Sequence, residues 1–354
     1  MKPNSKTLVI RFSSVGDIVL SSPLLRALRR RFPEGQIDFV TKREYAELVR
    51  SNHNLNVTFE YDSASGFRGL RQLKRKIQAE KYDLIVDIHN SLRSRYLRWF
   101  SGAREVVVIN KRQFDRFLLV KLKKNIYRGI VSVADRYIET VKKFGVQSDD
   151  KGLELHIPDD VFFGVSSKIA KLKLSEFERV IGMCPSARHF TKRWPEERFA
   201  EVGIRFARGQ KAKVILFGGP EDVQRGSIIT DLIRRATGDE AVIDFSGQLT
   251  LLETAAVMQY CDVIVTNDSG LMHIAAAMQK KLVAIFGSTV KELGFFPVSA
   301  DCIVIEREGL YCRPCSHIGR SSCPEGHFRC MKEIEVGEVI DGMERLFAQT
   351  VSQE

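Results

Sequence analysis

The chain has 354 residues, 44% of them apolar and 28% charged, which is ordinary soluble-globular usage and, at about 150 residues per domain, room for two domains. Disordered and fibrous classes are excluded, and the longest apolar runs, such as residues 282–286, fall far short of the roughly 18 residues that a membrane-spanning helix needs. The net charge of +11 is one-sided, because residues 1–150 carry 30 Lys and Arg against 16 Asp and Glu whereas residues 151–354 carry 25 against 28; the first half is expected to face an anionic partner such as nucleic acid, a phosphorylated lipid or a membrane surface.

In the first half, short and nearly all-apolar runs at 7–12, 37–40, 84–88 and 105–109 read as buried parallel strands, separated by helical periodicity near 17–32, 43–50, 68–80 and 91–100. The pattern returns after residue 180. Strands at 180–184, 213–217, 241–245, 263–266 and 282–286 alternate with helices near 195–208, 221–236, 250–260 and 270–278, and Thr250-Leu-Leu-Glu253 is a capping box that fixes one of these starts. Alternating βα units build parallel sheets, so the fold class is α/β with two Rossmann-like domains. The expected boundaries are a first domain at 1–155, a polar linker containing Pro158 at 156–179, a second domain at 180–334 and a final helix at 335–354.

In parallel α/β sheets, loops at the carboxyl ends of strands line the ligand crevice. The turn Arg11-Phe-Ser13-Ser-Val-Gly16-Asp17 puts a carboxylate there, and Asp17 serves either as a general base or as a helix cap. The dinucleotide fingerprint Gly-x-Gly-x-x-Gly is missing near this turn and no Walker A sequence occurs anywhere, so hydride transfer and P-loop hydrolysis lose ground. The loop Cys184-Pro-Ser186-Ala-Arg188-His-Phe-Thr191-Lys192-Arg193-Trp194-Pro195 gathers cations and hydroxyls before a helix. It reads either as a diphosphate cradle, with Lys192 stabilising charge on a departing phosphate, or as a basic surface loop with Trp194 in the core.

Phe217-Gly218-Gly219-Pro220-Glu221 is another strand-to-helix turn, in which Glu221 either accepts from ribose hydroxyls or stabilises a helix start. Thr266-Asn267-Asp268-Ser269-Gly270-Leu271-Met272-His273 runs a strand directly into a helix whose free N–H groups attract phosphate oxygens. Asp268 has a capping alternative, and His273 reads as a hydrogen-bonded structural histidine beneath the site. Finally, Cys312, Cys315, Cys323 and Cys330 contain one C-x-x-C pair. They suit a structural zinc site, reduced loop thiols, or a disulfide under oxidation.

Taken together, Arg11-x4-Gly16-Asp17 with Pro23, Pro185-Ser-Ala with Lys192-x-Trp194-Pro195, and Thr266-Asn-Asp-Ser-Gly-Leu-Met-His273 followed by Ala275-Ala-Ala resemble glycosyltransferase family 9. These are the heptosyltransferases that build the inner core of lipopolysaccharide in Gram-negative bacteria. The resemblance spans nearly the whole chain. It implies the GT-B architecture, two Rossmann-like domains facing each other across a cleft, with the last helix crossing back onto the first domain. It also implies an inverting, metal-independent transfer of heptose from ADP-heptose, or a related nucleotide sugar, to the lipid A core. Catalysis would rest on Asp17 as base and Lys192 as phosphate stabiliser. The donor side would take Ser186, Thr191, Lys192, Glu221, Asp268, Ser269, Gly270, Leu271 and His273, and the acceptor side Ser13, Gly16, Asp17 and Arg93.

No cofactor beyond a structural Zn is then called for, and a monomer is expected, cytoplasmic and peripheral at the inner face of the membrane, with no specific nucleic acid. One segment departs from the family pattern: this chain reads Phe286-Gly-Ser288-Thr289-Val-Lys291 where members often have Phe-Gly-Pro-Thr-Asp-Pro. The competing readings are a glycosyltransferase for another nucleotide sugar, a nucleotide-sugar 2-epimerase and, last, a non-enzymatic nucleic-acid binder.

Overall fold

In the computed structural model, which describes residues 2–299 and 301–351, the β-branched runs pair into two parallel sheets. The first comprises β1 (Thr7–Ile10), β2 (Ile37–Lys42), β3 (Val57–Tyr61), β4 (Leu84–Asp87) and β5 (Glu105–Val108), in the order β3-β2-β1-β4-β5. The second comprises β6 (Arg179–Cys184), β7 (Ala212–Leu216), β8 (Val242–Asp244), β9 (Val263–Asn267), β10 (Lys281–Phe286) and β11 (Cys302–Glu306), in the order β11-β10-β9-β6-β7-β8. Central strands β1, β4 and β9 are buried along their whole length, which is why they read as continuous apolar runs rather than alternating ones.

Each sheet has one point where the strand order reverses. In the first, β1 lies between β2 and β4 with Ile10 level with Asp87, so Arg11–Asp17 and Ile88–Asn90 leave the sheet side by side. In the second, β6 lies between β7 and β9 with Cys184 level with Thr266. The loops that start at Pro185 and Asp268 are therefore neighbours. These are the places where open α/β sheets bind ligands, and the candidate catalytic segments leave from both.

The chain divides into two compact units, Met1–Gln113 with Val131–His156 and Phe114–Ile130 with Ile157–Glu354. Several expectations are corrected here. The edge strands β3 and β11 lacked the fully apolar signature, because β3 keeps only Tyr61 buried and β11 only Ile305. The helix expected over 17–32 is broken into Val15–Val19 and Ser22–Arg31. There the Ser21 and Ser22 hydroxyls bond the carbonyls of Ile18 and Val19 at 2.6 and 2.8 Å, while Pro23 has no N–H to continue the ladder. The expected linker contains the helix Asp159–Ala170, tied by Lys168 to Glu253 at 3.0 Å.

The final helix, Val336–Val351, is grouped with the second unit. Its Val336, Val339, Met343 and Leu346 are buried in that unit's core, against β10, β11 and the helix Glu196–Gly209. Residues 114–130, interposed in the first unit's sequence, also belong to the second. Lys123 Nζ donates to the carbonyls of Cys312 and Pro314 at 2.9 and 2.7 Å, and Asn125 to Glu292 at 3.1 Å.

Packing around β6 leaves no room at Gly182, where an added Cβ would overlap Ile264 Cδ1 and stand 3.0 Å from Cys261 Sγ and 3.1 Å from Phe217 Cε2. Gly182→Ala is expected to destabilise the chain by about 1–3 kcal/mol through overpacking. Thermal unfolding checks this; an unchanged Tm would show that the core yields at this point.

Candidate active site

At the first sheet's reversal point, Asp17 sits in the first turn of the helix Val15–Val19. Its Oδ2 takes Arg11 Nη2 at 2.5 Å and Ser14 Oγ at 3.0 Å, with the Ser14 N–H at 3.3 Å. Its Oδ1 takes a bond from Tyr137 Oη at 3.3 Å. The side chain thus serves in a capping box, the helix-cap role that the sequence offered. Burial alone would raise the Asp17 carboxyl, but the Arg11 charge and the Ser14 and Arg11 hydrogen bonds outweigh it and hold it below the usual range.

Arg11 is fixed in turn by Ser13 O at 2.6 Å and Ile88 O at 2.7 Å, so Ser13 acts through its carbonyl. Gly16 is buried, and Arg93 is exposed on the helix Leu92–Arg98. Sequence reasoning missed His89. It lies beyond β4, edge-on to Phe12 with ring centroids 5.6 Å apart, and its Nδ1 is buried without a hydrogen-bond partner among the described residues. The preceding Asp87 carboxylate shapes that loop by accepting the His89 and Asn90 N–H groups at 3.0 and 2.7 Å. Burial first, then the charges of Arg11 and Lys111, push His89 down to about 3. The only sequence signal was its place directly after a strand.

At the second reversal point, Lys192 Nζ pairs with Asp268 Oδ2 at 2.6 Å, and Thr289 Oγ1 donates to the same oxygen at 2.6 Å. Asn267, fully buried, accepts from the Trp194 N–H at 3.1 Å and donates to Pro185 O at 2.9 Å. It thereby clamps both ends of the loop that carries Lys192. Ser269 occupies the cap position of the helix Gly270–Ala277 in extended conformation. Its Oγ is buried with no partner among the described residues, next to N–H groups that a helix start leaves unbonded.

Ser186 is half-buried in the loop beside this helix start. Thr191 is buried, donates to Ser288 Oγ at 3.1 Å and accepts from the Arg320 N–H at 2.8 Å, a tie between loops rather than an exposed ligand group. Leu271 and His273 are buried in the helix and Gly270 is half-buried at its start. In the Gly218-Gly219 turn the helix-start role falls to Asp222, which accepts the Gly219 N–H at 3.1 Å, and Glu221 stays exposed. The departure at Ser288-Thr289 has a structural meaning: both are buried, one bonded to Thr191 and the other to Asp268.

Of the four cysteines, Cys312, Cys315 and Cys323 are half-buried and Cys330 is buried. Among the described residues no three His, Cys, Asp or Glu side chains are grouped to hold a metal ion. Cys330 packs into the second unit's core, and burial pushes its thiol up to about 12.

The family model for glycosyltransferase family 9 (heptosyltransferase) matches residues 70–324. A lipooligosaccharide heptosyltransferase 2 from Haemophilus ducreyi is 27% identical, over 97% of this chain and 99% of its own. Among solved structures, a family 9 glycosyl transferase from Veillonella parvula superimposes with a TM-score of 0.83 at 25% identity, over 99% of both chains. The Escherichia coli ADP-heptose lps heptosyltransferase II superimposes at 0.74 and 24% identity, over 98% of this chain and 99% of that one. The fold is GT-B, two Rossmann-like units with parallel sheets.

Because His89 in the folded chain lies well below its ordinary value of 6.5, the unfolded chain binds the extra proton. Stability present above that value is lost as pH falls toward about 3. Through this group the unfolding free energy is expected to decline by up to about 1.4 kcal/mol per pH unit in that window. Asp17, held low, loses stability in the same direction as it protonates, so denaturant unfolding of His89→Gln beside the parent isolates the histidine. Equal slopes in both would sink the assignment.

Proposed function

The chain belongs to glycosyltransferase family 9, and from that premise we propose that it transfers a heptose from ADP-heptose to the inner core of lipopolysaccharide, inverting the anomeric carbon in one displacement. The observation that carries this reading is the grouping of Lys192, the Asp268–Thr289 pair and the buried, unpartnered Ser269 hydroxyl at one helix start. A cation, an open hydroxyl and free N–H groups at one point suit a diphosphate.

In the proposed reaction a core-sugar hydroxyl attacks the anomeric carbon while the bond to the diphosphate oxygen breaks. The hydroxyl proton passes to Asp17, whose Oδ1 has the weaker of its hydrogen bonds and so the acceptor capacity to spare. Arg11 keeps the carboxylate ionised and aimed, at the cost of basicity; a weak base suffices when proton transfer is concerted with departure of a stabilised leaving group. The leaving nucleotide gains charge in the same step. Lys192 exchanges Asp268 for the phosphate, and the helix start at Ser269–Leu271 adds fixed N–H dipoles, so these groups rather than a resident metal ion meet the charge where it develops.

Glu221, exposed beyond the β7 turn, is assigned to the ribose hydroxyls, and Ser13, Gly16 and Arg93 to the acceptor side. His273 supports the helix from below. Among the described residues no helix is long and apolar enough to cross a membrane, and we assign the chain a peripheral place at the cytoplasmic face, where a lipid-linked acceptor and the basic first half meet.

Calorimetric titration with ADP, GDP and UDP is expected to show selective ADP binding that weakens about tenfold or more in Lys192→Ala, since a charge-assisted phosphate contact contributes about 1.5–3 kcal/mol. Asp17→Asn is expected to keep ADP affinity within about twofold and to lose about 100-fold or more in transfer rate. Preference for UDP or GDP would change the sugar donor, and full transfer by Asp17→Asn would remove the base.

A further inference from the structure

The helices Gly66–Glu80 and Leu92–Arg98 of the first unit carry eight Lys and Arg against one carboxylate. They also expose large apolar side chains in one place. Phe67 is 66% exposed, Leu92 82%, Trp99 62% and Phe100 76%. Leu92, Tyr96 and Trp99 follow at i, i+4 and i+7 and so share a face; Phe67, Arg71, Lys74 and Gln78 share one on the neighbouring helix.

The two faces meet. Phe67 packs on Tyr96 with centroids 5.0 Å apart, Lys74 Nζ sits 4.5 Å over the Tyr96 ring and 5.9 Å over Trp99, and Gln78 bonds Phe100 O at 2.7 Å. The patch is therefore built, with its rings fixed among themselves and its apolar tips facing solvent. Leaving such a cluster in water is costly for a protein that could have placed polar residues there.

We propose that this face is a docking surface for an anionic lipid bilayer. Trp99, Phe100, Phe67 and Leu92 would enter the headgroup and upper acyl region, where amphipathic rings are favoured, and the surrounding cations would meet lipid phosphates. A second copy of the chain would bring like charges against like. Nucleic acid would offer bases to stack, but Trp99 and Phe100 already stack on each other at 5.0 Å and 30°, Tyr96 lies between Phe67 and Lys74, and the aliphatic Leu92 has no stacking face. The inference deepens the reading of a lipid-linked acceptor by naming the surface that brings the enzyme to it.

The test uses the full chain without donor or acceptor, so it fails separately from the transfer reading. The chain has two tryptophans, and Trp194 is fully buried, so emission changes on mixing report Trp99. Vesicles of phosphatidylglycerol and phosphatidylethanolamine are expected to shift emission to the blue, whereas phosphatidylcholine vesicles leave it in place. In cosedimentation, W99S with F100S is expected to lose about tenfold or more of the vesicle binding, and Arg71→Gln with Lys74→Gln to lose a similar factor together with part of the salt dependence. Both pairs should keep the parent's unfolding temperature and ADP affinity. Absence of shift and cosedimentation overturns the proposal. So does equal binding to single-stranded DNA and anionic vesicles with no change in Trp99 emission, or a blue shift that grows with protein concentration alone.

Discussion

The loop that carries Lys192 is held in place by one buried amide. Asn267 ends β9 and spends its carbonyl oxygen on the Trp194 N–H and its amide nitrogen on Pro185 O. The same loop is anchored further by the Trp194 ring, which donates to Ile334 O at 3.1 Å and packs edge-on to Phe199 at 5.1 Å, and by the Thr191 ties to Ser288 and Arg320. A lysine on a free loop is a mobile charge that loses rotamer entropy on binding. Held at both ends of its loop, and resting on Asp268, Lys192 has given up much of that freedom before a ligand arrives.

In the first unit the constraint falls on a carboxylate, Asp17, whose two oxygens are bonded unequally. Arg11 and Ser14 occupy Oδ2, while Tyr137, whose hydroxyl burial keeps protonated, is left as the long partner of Oδ1. Asymmetry between the two oxygens, rather than an elevated affinity for protons, is what suits this carboxylate to the role proposed for it. The neutral His89 nearby adds no competing charge.

Much of this was legible in the residues. The fully buried strands announced themselves as apolar runs, and the capping box at Thr250 formed as written, with reciprocal bonds of 2.9 and 3.2 Å. Asp17, Lys192 and Asp268 could be placed at the reversal points because loops there follow strands directly. What escaped was long-range. Tyr137 reaches Asp17 across 120 residues, and Thr289 reaches Asp268 from the loop after the next strand. Neither has a local signature, since a hydroxyl in a loop looks the same whether or not it meets a carboxylate. Cysteine spacing is silent on burial for the same reason: nothing local marks Cys330 as the one that packs into the second unit's core.

The interposed segment 114–130 ties biosynthesis to this fold. Because it belongs to the second unit while its flanks belong to the first, the chain passes from one unit to the other at 113/114, 130/131 and 156/157. Lys123 waits for Cys312, a partner 189 residues further on, so the segment emerges from the ribosome long before the loop that receives the lysine exists. Closing so long a loop carries an entropy cost that grows with its length, and it falls late in assembly. The two units are consequently not interchangeable cassettes: a recombination event that exchanges the first 155 residues between relatives also moves a piece of the other unit's wall, and must find a matching Cys312–Pro314 loop in the recipient.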